Sequence, residues 1–260
     1  MVTIDSGEGA GTIIEGFTIT NGSAAFGGGM YISASSPTVI SCIIVGNTAT
    51  DDGGGVYNLG GSPAFDLCEF NNNTATNGRG AGAACDGGAA TFTNSNFNGN
   101  NALGISGDGG GLAVISGSAT VTTCVFDLNN ATFVGGGIGV VGGGLALSGS
   151  TITNNAATTG GGVGISGAGI ADIDTTAFCD NLPDHITVPW TDNGGNDLCP
   201  LCVADIDGNG IVNVDDLLDL LACYGMLAGD CSNPYADIYV DGFINAIDLT
   251  YLLGSWGLCP

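Results

Sequence analysis

The sequence predicts a mainly β protein, a right-handed parallel β-helix followed by a small α-helical module. Three observations carry that prediction. An Asn recurs at near-constant spacing through the first 185 residues, an alternation of small and large side chains precedes it, and the chain changes character near residue 200. Residues 1–185 read as the solenoid, 186–202 as a cap and linker, and 203–260 as the module.

The recurring Asn falls at Asn21, Asn47, Asn73, Asn100, Asn129, Asn154 and Asn181, at intervals of 26, 26, 27, 29, 25 and 27 residues. Five residues earlier stands a small residue: Gly16, Cys42, Cys68, Ser95, Cys124, Gly149 and Thr176. Three earlier, in most repeats, stands a large apolar one: Ile44, Phe70, Phe97, Phe126 and Phe178. Residues two apart in a strand share a face, so both columns point into one core. A Gly-rich turn and a second apolar strand follow each block, as in GGGMYI, GGGVYNL, GGGLAV and GGGLAL. A short unit of this kind cannot close its own core, but stacked coils at about 4.8 Å can. The seven coils predict a rod of roughly 34 Å at that spacing. Helical repeats are disfavoured because Gly, Thr, Asn and β-branched residues dominate while Lys is absent.

The Asn is expected to take left-handed backbone angles at a turn and to bond its neighbours above and below in an amide ladder. The Cys of the small column read as compact buried residues rather than metal ligands. The blocks SCIIVGNTA, LCEFNNNTA and TCVFDLNNA, with GFTITNG at 16–22 and the Gly-rich followers, resemble the β-helix repeats of polymorphic outer-membrane proteins and pectin-lyase-like proteins. That resemblance covers residues 1 to about 185 and implies the fold; the superfamily spans lyases, hydrolases and adhesins, so it does not select an activity.

The segment NLPDHITVPWTDNGGND, with Pro183, Pro189 and Trp190, reads as the cap over the last coil. Beyond it, DIDGNGIVNVDD places Asp205, Asp207, Asn209, Asn213 and Asp216 at positions 1, 3, 5, 9 and 12 of a calcium loop, with the Ile211 carbonyl at 7 and Gly210 at the bend. Alternate oxygens turn inward because a hard cation needs six to eight of them. The second copy, DIYVDGFINAID, offers Asp237, Asp241, Asn245 and Asp248 with the Phe243 carbonyl and Gly242. Tyr239 stands where a ligand is expected, so this second Ca2+ site should be weaker. Apolar helical patterns follow both loops, in which Leu217, Leu220, Leu221 and Leu249, Leu252, Leu253, Trp256 are expected to pack across the pair.

The two loops, 32 residues apart and each with Asp at position 12 and only a following helix, resemble bacterial dockerins, a variant of the EF-hand, over about residues 203–257. The resemblance implies two bound Ca2+ ions and an extracellular cohesin-like partner or cell-surface component, often among polysaccharide-degrading assemblies. Loop positions 10 and 11, read by cohesins, are Val214 and Asp215 in one copy and Ala246 and Ile247 in the other, so a contact symmetric between copies is not expected.

One Arg and no Lys stand against 25 acids, a formal charge of -24. Nucleic acid is excluded, because phosphate binding requires a basic surface. Anionic glycans and membranes are repelled over roughly 8 Å at physiological salt, which leaves a neutral glycan as the carbohydrate partner. No apolar run is long enough to span a bilayer. The opening residues lack a basic end and apolar core of a secretory signal, so a truncated N-terminus is expected. Of ten Cys, the even set outside the coils suggests the bridges Cys202–Cys259, Cys223–Cys231 and Cys179–Cys199, and with them an oxidising, extracellular setting.

Two function classes remain. The first is a non-catalytic secreted or surface solenoid. The second is a truncated or divergent polysaccharide lyase or glycoside hydrolase carried by its dockerin. A lyase needs a base and basic groups for uronates, and Arg79 alone cannot supply both. A glycosidase needs paired carboxylates; Asp51, Asp52, Asp86 and Asp108 are candidates, but they do not recur at one position of the repeat. His185 has no neighbouring nucleophile motif and reads as a cap residue. No catalytic residue is assigned.

Overall fold

The computed structural model describes residues 1–260 except 188, 199–203, 205, 207–210, 232, 234–235, 239–241 and 259–260. The chain divides into two compact units, residues 1–199 and 200–260.

The first unit is a parallel β-solenoid of about seven turns. Its three sheets follow from the repeat, since successive coils contribute strands to the first two and five of them contribute a short strand to the third. In the second sheet the strands Thr18–Thr20, Ile43–Val45, Glu69–Asn71, Asn96–Asn98, Val125–Asp127, Thr151–Thr153 and Ala177–Cys179 stack in register. The middle residue of each points inward, giving the column Ile19, Ile44, Phe70, Phe97, Phe126, Ile152 and Phe178. Phe70, Phe97 and Phe126 stack face to face at 4.4 Å. Opposite them the first sheet supplies Val39, Phe65, Phe92, Val121, Leu147 and Ile173, all buried. Phe65 and Phe92 meet the other column edge-on. Offset and edge-on rings add directional attraction to area burial.

The corners correct the expected Asn column. The buried amide ladder comprises Asn47, Asn73, Asn100, Asn129, Asn155 and Asn181, with Gly22 in the first slot. Asn21 and Asn154 are one residue early. They belong to the adjoining corner, where Asn21, Gly46, Asn72, Gly99, Leu128, Asn154 and Asp180 have positive φ. Left-handed backbone and ladder bonding, expected of one residue, are therefore divided between two neighbours. The corrected register puts Ile19 and Ile152 into the apolar column and Ser150 into the small one. The third Gly of the Gly-rich runs has its own cause: a Cβ on Gly29 would stand 2.7 Å from the Gly55 carbonyl oxygen and 2.9 Å from Asn47 Nδ2, and one on Gly55 would meet the Gly82 carbonyl oxygen and stand 3.1 Å from Asn73 Cγ.

Residues 186–198, expected as cap and linker, continue the winding. Thr191–Asp192 pairs in parallel with the first sheet and Asp197–Leu198 with the second, and Trp190 packs partly buried against the core.

In the second unit, helices α1 (Val214–Ala222) and α2 (Ala246–Gly254) follow the two predicted loops. Residues 211–212 and 257–258 form an antiparallel pair. Leu220 and Leu252 are buried, with Leu217 and Leu249 partly so. Leu221, Leu253 and Trp256, expected in that core, are about half exposed at 47%, 53% and 50%. A helix buries one stripe, and Leu221 and Leu253, directly after Leu220 and Leu252, turn away from it; Trp256 lies beyond the end of α2. Cys223 and Cys231 are disulfide-bonded as expected. Cys179 is also in a disulfide; Cys199, Cys202 and Cys259 lie outside the described residues.

Candidate metal centre

The local sequence accounts for the geometry of both loop ends. Asn213 caps α1 by accepting the Asp215 N–H at 2.8 Å, and Asp216 reaches back to accept the Asn213 N–H at 2.8 Å. Asn245 and Asp248 repeat this at α2, accepting from Ile247 and Asn245 at 2.9 and 2.8 Å. Each is a reciprocal capping box, which satisfies N–H groups that the first helical turn leaves unpaired. Both Asp216 and Asp248 are fully buried. Asp216 also accepts the Ile206 N–H at 2.6 Å. In the second loop Gly242, at φ 87, donates its N–H to Asp237 Oδ2 at 3.1 Å, and Asn245 Nδ2 donates to the Phe243 carbonyl at 3.1 Å.

Asn213, Asp216, Asp237, Phe243, Asn245 and Asp248 thus sit at the ends and bend of two like loops, and Ile211 lies in the strand preceding α1. Asp205, Asp207, Asn209 and Asp241 lie outside the described residues. Among those described, no group of three His, Cys, Asp or Glu converges on a metal-sized point. The donor set fits a hard cation all the same. It consists of carboxylate, amide and carbonyl oxygens, the ligand types that such a cation takes.

The candidate carboxylates of the solenoid occupy a different setting. Asp52, Arg79 and Asp108 do recur at one coil position, each immediately before a Gly of positive φ at 53, 80 and 109. Unequal coil lengths concealed this in the linear sequence. The Arg79 N–H donates to Asp52 Oδ1 at 2.7 Å and its Nε pairs with Asp108 Oδ2 at 3.3 Å. Burial raises both carboxyls above their usual range, against the opposing pull of Arg79. Further along the Arg79 coil, in the strand that follows it, Asp86 accepts from Tyr57 Oη at 3.1 Å and from Ser116 Oγ at 2.7 Å, and burial first, then Asp86, raises the Tyr57 phenol. The guanidinium of Arg79 is therefore paired with the carboxylate of the next coil, Asp108, while the Arg79 backbone N–H binds that of the preceding coil, Asp52.

The coil thiols are inert by environment. Cys42, Cys68, Cys85 and Cys124 are free and buried. Burial pushes Cys68 and Cys124 to about 11 and Cys85 to about 12. Cys124 Sγ instead accepts the Ser95 N–H at 3.4 Å within the small-residue column.

No protein-family model, no curated protein and no solved structure matches the chain.

Proposed function

We propose that the chain is a non-catalytic secreted or cell-surface protein, a right-handed parallel β-helix attached through a calcium-binding, dockerin-like module to a cohesin-like protein or surface component in a polysaccharide-related setting. The observation that carries this reading is the duplicated loop end: two capping boxes in which Asn213 with Asp216 and Asn245 with Asp248 play identical parts, the acids fully buried. Burying a carboxylate is costly unless hydrogen bonds or a cation compensate it. Two buried carboxylates at the last position of two calcium-loop patterns, each with an amide oxygen three residues earlier, are oxygen donors of the kind a hard cation takes, which supports the reading. The exposed Leu218, Leu221, Ile247 and Tyr251 of the two helices supply apolar area of the sort that marks protein contact sites.

Calcium titration of the full chain by calorimetry tests the reading. Two binding events are expected, the tighter one lost in Asp205→Ala. A wild-type chain that takes up no calcium would refute it.

A further inference from the structure

The outward face of the second sheet breaks a local rule over a run of neighbouring coils. Its first outward column reads Thr18, Ile43, Glu69, Asn96, Val125, Thr151, and its second Thr20, Val45, Asn71, Asn98, Asp127, Thr153. Thr, Ile and Val are what an exposed strand position favours, and Asn, Asp and Glu are depleted there. The departures gather in three successive coils, Glu69 with Asn71, Asn96 with Asn98, and Asp127; beyond them the first column continues through Ala177 to Asp197 at the end of the sheet. The gathered departures coincide with an open cavity of about 520 Å³ lined by Glu69, Asn71, Asn96, Asn98, Val125 and Asp127. Residues that contradict local propensity without a packing return are where function is to be sought.

These side chains are held in place without being used up. Asn71 Nδ2 donates to Glu69 Oε2 at 3.0 Å and Asn98 Nδ2 to Asp127 Oδ2 at 3.2 Å. Thr153 Oγ1 and Asn154 Nδ2 fix the other Asp127 oxygen at 3.1 and 2.8 Å. Among the described residues, the Asn71 and Asn98 amides do not bond each other, and the Asn96 amide bonds nothing. The buried ladder on the inside of the same coils behaves oppositely, with Asn73 Nδ2 and Asn100 Nδ2 each donating twice. Stacking alone therefore does not account for the outer amides.

We propose that this groove binds a neutral oligosaccharide lying along the coil stack. Amides both donate and accept and carboxylates accept, which matches ligands whose hydroxyls do both. Glu69 and Asp127, on a chain of formal charge -24, disfavour uronates and other anions. The carboxylates do not make a cation site, because they stand two coils apart, roughly 10 Å at the usual strand spacing, each engaged by an amide. Val45 and Val125 at the two ends give apolar area for sugar C–H faces. The inference deepens the polysaccharide-related part of the proposed function and rests on it.

The test is calorimetry on the full chain with neutral hexasaccharides of β-1,4-glucose, β-1,3-glucose, β-1,4-mannose and β-1,4-xylose, with hexagalacturonate for comparison. At least one neutral ligand is expected to bind and hexagalacturonate not to. The double variant Asn71→Val, Asn98→Val restores the residue types of other coils; it should lose at least tenfold in affinity while its unfolding midpoint holds or rises. The groove is refuted if no neutral ligand binds, if hexagalacturonate binds as well, or if the variant binds like the wild type. A lowered midpoint would assign the amides a structural role and also overturn it. Repeating the titration with chelator separates the two proposals, since groove binding must persist there, whereas the attachment reading stands or falls on calcium uptake.

Discussion

Asn154 and Asn155 are consecutive in the chain and stand in opposite environments. Asn154, at φ 54, turns its amide outward to Asp127 Oδ1 at 2.8 Å. Asn155 is 1% exposed, donates to the Phe126 carbonyl and to Asn181 Oδ1, and accepts from Asn129. Asn155→Ala should therefore cost on the order of 4 kcal/mol, since it strips partners from several buried groups at about 1–3 kcal/mol each. Asn154→Gly, which keeps the left-handed corner, should cost about 1 kcal/mol or less. Denaturant unfolding of the two variants checks the assignment, and equal losses would contradict it.

The Asp52–Arg79–Asp108 column makes the solenoid respond to pH. Burial raises both carboxyls in the folded state, so folding favours their protonated forms. That contribution is fully present below the ordinary carboxylate range and is lost as pH rises through the raised folded values. Thermal melts should show Asp52→Asn, Asp108→Asn gaining on the wild type as pH climbs from about 3 towards neutrality. Arg79→Met, which removes the opposing cation, should make the wild-type slope steeper.

Thiol labelling reads out the coil cysteines. With Cys68, Cys85 and Cys124 raised to about 11, 12 and 11 and all four coil thiols buried, the native protein at pH 8 should leave Cys42, Cys68, Cys85 and Cys124 unlabelled. Denaturation should release all four. Rapid labelling of any of them in the native state would mean that the coils open locally.

Calcium should stabilise the second unit. Binding only to the folded form at 100 times Kd adds about 2.7 kcal/mol, so helix melting followed by circular dichroism should shift upward with calcium and downward with chelator. Asp248→Ala should reduce the shift less than Asp216→Ala, because Tyr239 leaves the second loop one ligand short.

Much of this was legible beforehand. The period-two blocks identified the solenoid, the strand direction and the apolar column through Phe70, Phe97 and Phe126, because the interior accepts one residue type per position and stacking repeats it. The loop patterns located both helices within the second unit, and the Cys spacing found Cys223–Cys231. Harder to see was the outer groove, whose only signal is Asn71, Asn96 and Asn98 at strand positions that other coils give to Thr, Ile and Val.

By itself the sequence determined the architecture, since burying a repeated apolar pattern leaves few arrangements. Only the tertiary structure decided which member of Asn21–Gly22 and Asn154–Asn155 enters the ladder, and that Asp52, Arg79 and Asp108 share one column. The reason is physical. Adjacent Asn and Gly residues have the same local preference for a left-handed corner, and coils of unequal length let a linear alignment slip by one residue. The hydrogen bonds between coils remove that freedom, because a slip of one residue turns an inward side chain outward.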